Sequence, residues 1–400
     1  ILFDNVNAGG QFNFVAGGTV TGGDIVGTTR VLGDSDGAMS LGNITVNAGP
    51  EPIDDTALAL DSAGSITVGN VQSYGRVGFA TLGNLTTGNI VAGPLVMAFV
   101  GGDMNLGSIT TDAGGLVYLG DVSMFVDAGG SVGAGEDNFD ISIVLAQAPV
   151  ATGGSITING PVTTGTMQAA AGTSLTVGDI TASGDVDLLA GGLASFLGIV
   201  SAPTITVTSA DLSIGLGGSL GVRGVTNLLT LNAVNDLGLY VGDGIVAPAG
   251  AYVIDEEGSI ASDAIVFNAL PASEGATPDV HIGNLVIAGS QSTENYGAGH
   301  VTFNTGGSIF VEGAIDFREA AATDSLNLNA GEVIAVITDT GSITMTNSDG
   351  GLSGILTLTA HDIWIAEQAI IDQLLVDPNF AGLEDALAPN NRTDNPEGYV

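Results

Sequence analysis

The sequence predicts an all-β protein: a right-handed parallel β-helix with a short helical segment near its C-terminus. Three observations carry that prediction. A short motif recurs throughout the chain, with Gly-Ser-Ile-Thr-Val at 64–68 returning as Gly-Ser-Ile-Thr at 107–110, Gly-Ser-Ile-Thr-Ile at 154–158, Gly-Ser-Ile at 258–260, Gly-Ser-Ile-Phe-Val at 307–311 and Gly-Ser-Ile-Thr-Met at 341–345. Within each run apolar and polar residues alternate, as in Ser155 to Gly160, where Ile156 and Ile158 share one face and Thr157 takes the other. The runs last only three to five residues before Gly, Asn, Asp or Pro turns the chain, a pattern no helix sustains.

The spacing sets the size of one turn of the coil. Variants at 42–46, 83–86, 130–132, 178–181 and 283–287 fill the gaps, so that Gly42, Gly64, Gly83, Gly107, Gly130, Gly154 and Gly178 follow one another at 22, 19, 24, 23, 24 and 24 residues. Immunoglobulin-like repeats need roughly 100 residues each; a rung of 19–25 residues holding three short strands suits a β-helix. Residues 1–360 are therefore read as the rod, opening on strand-like Leu2-Phe3 and Phe12-Asn13-Phe14. The motif isoleucines Ile66, Ile109, Ile156, Ile260, Ile309 and Ile343 are expected in one shared interior column, with Gly and Asn at corners that need φ > 0. Polar stretches at 47–56 and 289–300, and the longer gap from Gly307 to Gly341, read as loops outside the rod, where binding is expected.

Residues 361–400 read as a final strand plus a helical cap or insert. Ile370, Ile371, Leu374 and Leu375 fall at helical spacing, Asp377-Pro378 ends that run, and Leu383 and Leu387 mark a second one. Gly398-Tyr399-Val400 looks like the start of another strand, so the chain is expected to continue.

Composition bounds the partners. The chain of 400 residues has 43 Asp and Glu against five basic residues, all Arg, for a net charge of -38. Five scattered arginines assemble no cationic stripe, which excludes nucleic acid and anionic membrane surfaces as direct partners. Mean hydropathy of +0.43 is too high for disorder. No run of twenty apolar residues spans a bilayer. Absence of Cys suits export through an oxidising compartment, and no signal peptide is read near Ile1, so any such peptide is expected to have been removed or to lie upstream.

The degenerate Gly-Ser-Ile-Thr-Val and Gly-Asn-Ile-Thr rungs over 42–345, the lack of Cys, and the helical insert followed by Asn395-Pro396-Glu397-Gly398-Tyr399-Val400 resemble the large filamentous-haemagglutinin-like exoproteins of Gram-negative bacteria, the β-strand repeat adhesins. The resemblance implies export across the outer membrane and a role as adhesin or biofilm matrix. Neither a secretion domain nor a β-barrel translocator is recognisable here.

The acidic residues are the candidates for chemistry. Uronic-acid lyases need Arg or Lys, which five distant arginines supply poorly. A glycosidase needs two carboxylates roughly 5–9.5 Å apart, and Asp185 with Asp187, or Asp54 with Asp55, offers such a pair against the plain reading of a solvated face. His281, His300 and His361 lie in no nucleophile-elbow context. For Ca²⁺ the densest oxygen clusters are Asp34 with Asp36, the run Glu136-Asp137-Asn138-Phe139-Asp140, and Asp255-Glu256-Glu257. Asn43, Asn84 and Asn391 satisfy the Asn-x-Thr sequon, the first two as part of the rung motif. Trp364 and Tyr399 are sugar-stacking candidates, with coverage of the column end as the alternative.

The sequence thus assigns no catalytic or cofactor-binding residue, requires no cofactor, and leaves Ca²⁺ and any metal site open. It points to a noncatalytic extracellular rod at the bacterial surface that associates with itself, neighbouring surface proteins or polysaccharide. A surface-layer or self-assembling matrix protein is the alternative, and a carbohydrate-active β-helix enzyme a further one.

Overall fold

A computed structural model describes residues 1–47, 56–121, 151–215, 217–241, 251–254, 258–294 and 296–366. Among them every named strand pairing is parallel and there is no helix, so the chain is a parallel β-helix. The expected helical segment lies outside the described residues. The chain divides into two units, Ile1–Thr226 and Asn227–Val400.

In unit 1 each rung has three faces. A six-residue strand such as Arg76–Thr81 turns into Leu85–Thr87 and then Ile90–Val91, and the next rung repeats this with Leu95–Val100, Met104–Leu106 and Ile109–Thr110. Each strand hydrogen-bonds to its equivalent one rung away, about 4.8 Å along the axis. The regular step is 19 residues, as in Val20↔Met39, Ile66↔Leu85, Leu85↔Met104 and Ile156↔Leu175. The step from Met104 to Ile156 is longer because residues 122–150, which are not described, fall within it. In Val186–Phe196 and Thr204–Ile214 the corner between the first two faces opens, and one strand of 11 residues covers both.

The motif isoleucines do not share one column. Ile66 and Ile156 belong to the second face, in the ladder Val20, Met39, Ile66, Leu85, Met104, Ile156, Leu175 and Ala194. Ile109 lies on the third face, in the ladder Ile25, Ile44, Val71, Ile90, Ile109, Val162 and Ile180. The reason is that a rung carries the motif twice in succession, as in Ile66-Thr67-Val68-Gly69-Asn70-Val71, so both faces use the same side chains. All of these positions are fully buried or nearly so, and each large aliphatic one contributes roughly 1.5–3 kcal/mol of apolar burial.

In unit 2 the first face is built by Leu228–Val234, Ala264–Leu270, His300–Thr305, Ser325–Ala330 and Ile355–Thr359. Leu237–Val241, Val280–Ile282, Ile309–Val311, Val333–Ile337 and Asp362–Ala366 form the second. Here Ile309 is buried on the second face, whereas Ile343 lies on the third, paired with Ile315 and only half-buried, and Ile260 is half-buried as well. Within the core Phe267 stacks on Phe303, its register partner, at 4.6 Å between ring centres. On the outer flank an amide ladder runs from Asn232 through Asn268 and Asn304 to Asn329 at 2.8–2.9 Å. The stretch from Gly307 to Gly341 is not a loop: it holds the strands Ile309–Val311, Ala314–Arg318, Ser325–Ala330 and Val333–Ile337.

Candidate functional site

The corners are where side chains act rather than merely pack. Between the second and third faces of unit 1, Asn5 Oδ1 accepts the backbone N–H of Asp24 at 2.8 Å, Asp24 that of Asn43 at 2.7 Å, Asn43 that of Asn70 at 2.9 Å, Asn70 that of Asn89 at 2.9 Å, and Asn89 that of Ser108 at 3.1 Å. A second ladder between the first and second faces links Ser65 to Asn84, Asn84 to Asp103 and Asp103 to Ser155 at 2.8–3.0 Å. Each bond joins one rung to the next and satisfies a corner N–H that no strand partner reaches. The repeated glycines before these positions are needed for space, not for φ > 0 as the sequence reading expects. A Cβ on Gly88 would lie 2.5 Å from Asn70 Oδ1, and one on Gly107 2.7 Å from Asn89 Oδ1, while neither has a left-handed backbone. The signal for these ladders was a polar residue recurring one rung apart beside a glycine, which the mixed two-motif spacing concealed.

The same corners absorb several acidic residues. Asp179 accepts from Ile199 N, Asp236 from Asp279 N, and Asp279 from Ser308 N at 2.6–2.9 Å. Asn43 and Asn84, the sequon residues, are both ladder members, although their side chains stay exposed; Asn391 lies outside the described residues.

Asp185 and Asp187 stand on the outer face of Val186, which points inward. Asp185 immediately precedes the strand and Asp187 is its second residue. Asp187 lies between its register partners Gln168 and Thr206, and burial raises its carboxyl pKa. Asp34 and Asp36 also face outward, to either side of the buried Ser35; the register sets Asp34 directly beside Asp61 of the next rung. Among the described residues no three acidic or histidine side chains converge. Asp54, Asp55, the 136–140 run, 255–257 and Tyr399 all lie outside the described residues.

The three histidines are kept apart by the fold. His281 Nδ1 meets Glu312 at 2.7 Å and its ring stacks on Phe310 at 5.0 Å, on the outer flank of the second face. Burial raises the Tyr240 phenol pKa, and the negative charge of Glu312 raises it further. His300 Nδ1 lies 3.1 Å from Ser325 Oγ, with no carboxylate on the ring among the described residues, and His361 Nδ1 lies 2.9 Å from Asp362. Trp364 packs on the outer side of Ala335, its register partner, in the cluster to which Phe310 contributes from the rung on the other side of Ala335, so it does not cover the end of the column. The register that aligns Ile363 and Ile365 with the buried Ile334 and Val336 sets Trp364 on the opposite side of the strand. In unit 1 the Tyr118 phenol is fully buried and its pKa is pushed up to about 12 by that burial.

No helix among the described residues is long and apolar enough to cross a membrane. Comparisons with protein-family profiles, with curated proteins and with solved structures found no match.

Proposed function

We propose that this chain is a noncatalytic extracellular rod, a structural segment of a secreted adhesin or surface filament that mediates attachment or biofilm matrix formation. The observation that carries the reading is the investment of side chains in cohesion along the axis: the corner ladders of unit 1 and the amide ladder of unit 2 bond each rung to its neighbour. Such bonding favours stiffness over the mobility of a catalytic loop system. Electron micrographs of native protein should show stiff rods, and beads coated with it should adhere to surface polysaccharide or to cells. Release of reducing ends from a polysaccharide panel, abolished by Asp187→Asn, would overturn the reading in favour of a carbohydrate-active enzyme.

A surface-layer or self-assembling matrix role is favoured by a separate observation. On the last described strands Leu356 and Ile365 are 43% and 50% exposed although their register partners Leu326 and Val336 are buried. Ordered lattices or concentration-dependent elongation in the same micrographs would select this role.

A further inference from the structure

The third face of unit 2 is interrupted. Ser259–Ile260 and Leu285–Ala288 occupy it on successive rungs, yet they belong to separate sheets. After Ala288 the described residues 289–294 and 296–299 form a loop, and Gly297 bridges Ala261. Both ends of the loop are firmly held. Asp324, 2% exposed, accepts Ser290 N at 2.7 Å, Ser290 Oγ at 2.6 Å and Ala321 N at 3.0 Å. Gly297 N donates to Ile260 O at 2.8 Å, and Ala298 N to Ala288 O at 3.1 Å. At φ 96° and pressed against Ala288, Gly297 has no room for a side chain. The seam that remains is a cavity of about 450 Å³, lined by Ile260, Phe267, Leu285, Ile287 and Val301, with Val286 and Tyr296 exposed at its mouth. The stack on Phe303 fixes the ring of Phe267.

We propose that this seam is a binding site for a small uncharged apolar molecule, of the class of long-chain alcohols or neutral aromatics. Its volume falls within the range of ligand pockets, roughly 300–1,000 Å³. Among the described residues none that lines it carries a charge, so an ionised headgroup inside would lose its hydration and find no partner among them. An anion is further opposed by the excess of acidic residues.

Titration of the full chain with the neutral dye Nile red should give saturable, blue-shifted emission at one site, displaced by 1-decanol and not by decanoate at pH 8. Val286→Trp, at the mouth, should weaken the dye at least tenfold without changing the melting temperature. Val91→Trp, at an equally exposed position in unit 1, should not weaken it. Equal affinity in Val286→Trp would place the dye on exposed strand edges and overturn the proposal, as would equal competition by decanoate. Should Val286→Trp fail to fold, nuclear Overhauser effects from decanol to the methyl groups of Val286 and Ile287 decide the matter in the unaltered protein, and their absence overturns it.

Discussion

At the scale of single residues, the corner ladders separate two roles of the acidic and amide side chains. Asp24 and Asn43 do the same work one rung apart, each accepting the next rung's N–H. The acceptor oxygen is therefore required there and the charge is not. Asn70→Ala should cost about 1–2 kcal/mol in chemical denaturation by leaving the Asn89 N–H without its acceptor, whereas Asp24→Asn should change stability little, since the carbonyl oxygen persists. Asp187 behaves differently, because burial raises its folded pKa. A raised carboxyl pKa favours folding most below the unfolded value, and that contribution is lost as pH rises through the folded value. Asp187→Asn should accordingly raise the melting temperature at pH 7, and the gain should vanish near pH 3, where the wild-type carboxyl is protonated too. A gain of the same size at both pH values would contradict the desolvation assigned to this site.

At the scale of the rung, two strands of three residues and one of six close a triangle whose interior admits only apolar side chains and a few bonded hydroxyls. Ser62 Oγ, for example, is buried and donates to Gly37 O at 2.7 Å while accepting from Gly64 N. Ile156 is fully buried between Met104 and Leu175 on adjacent rungs. Ile156→Asp should cost about 3–5 kcal/mol in a denaturant titration, because an unpaired charge would enter a column with no room for hydration. Gly88→Ala tests the corner itself. The added methyl would press on Asn70 Oδ1, so the variant should lose at least about 1 kcal/mol; pairing it with Asn70→Ala should recover part of that loss in a double-mutant cycle.

At the scale of the whole molecule, the net charge of -38 sets the response to solution conditions. Added salt screens repulsion among the carboxylates, so the melting temperature should rise with ionic strength. An ordered Ca²⁺ site would add a further rise with millimolar Ca²⁺ over a monovalent salt of matched ionic strength, and equal stabilisation by both would leave screening alone. The β-helix itself was legible in the chain, because alternation, corner residues and short repeats are local properties that any rung must satisfy: Ile66, Ile109, Ile156 and Ile309 are interior, as their pattern requires. Their assignment to one column was not legible. Two copies of the same motif in one rung differ only in which face they follow, and pairing across rungs is what distinguishes Ile109 from Ile156. For the same reason the corner glycines read as conformational when they are steric, since the atom that forbids their side chain belongs to the rung alongside. The sequence by itself determined the class of fold, the acidic surface and the absence of thiol chemistry, all of which follow from composition and short-range pattern. Only the tertiary structure decided which residues meet: Asp34 beside Asp61 in the register, Trp364 outward on Ala335, and the seam between Ser259–Ile260 and Leu285–Ala288. Those meetings depend on the register between rungs, which is set by packing across the coil and is not encoded in any one of them.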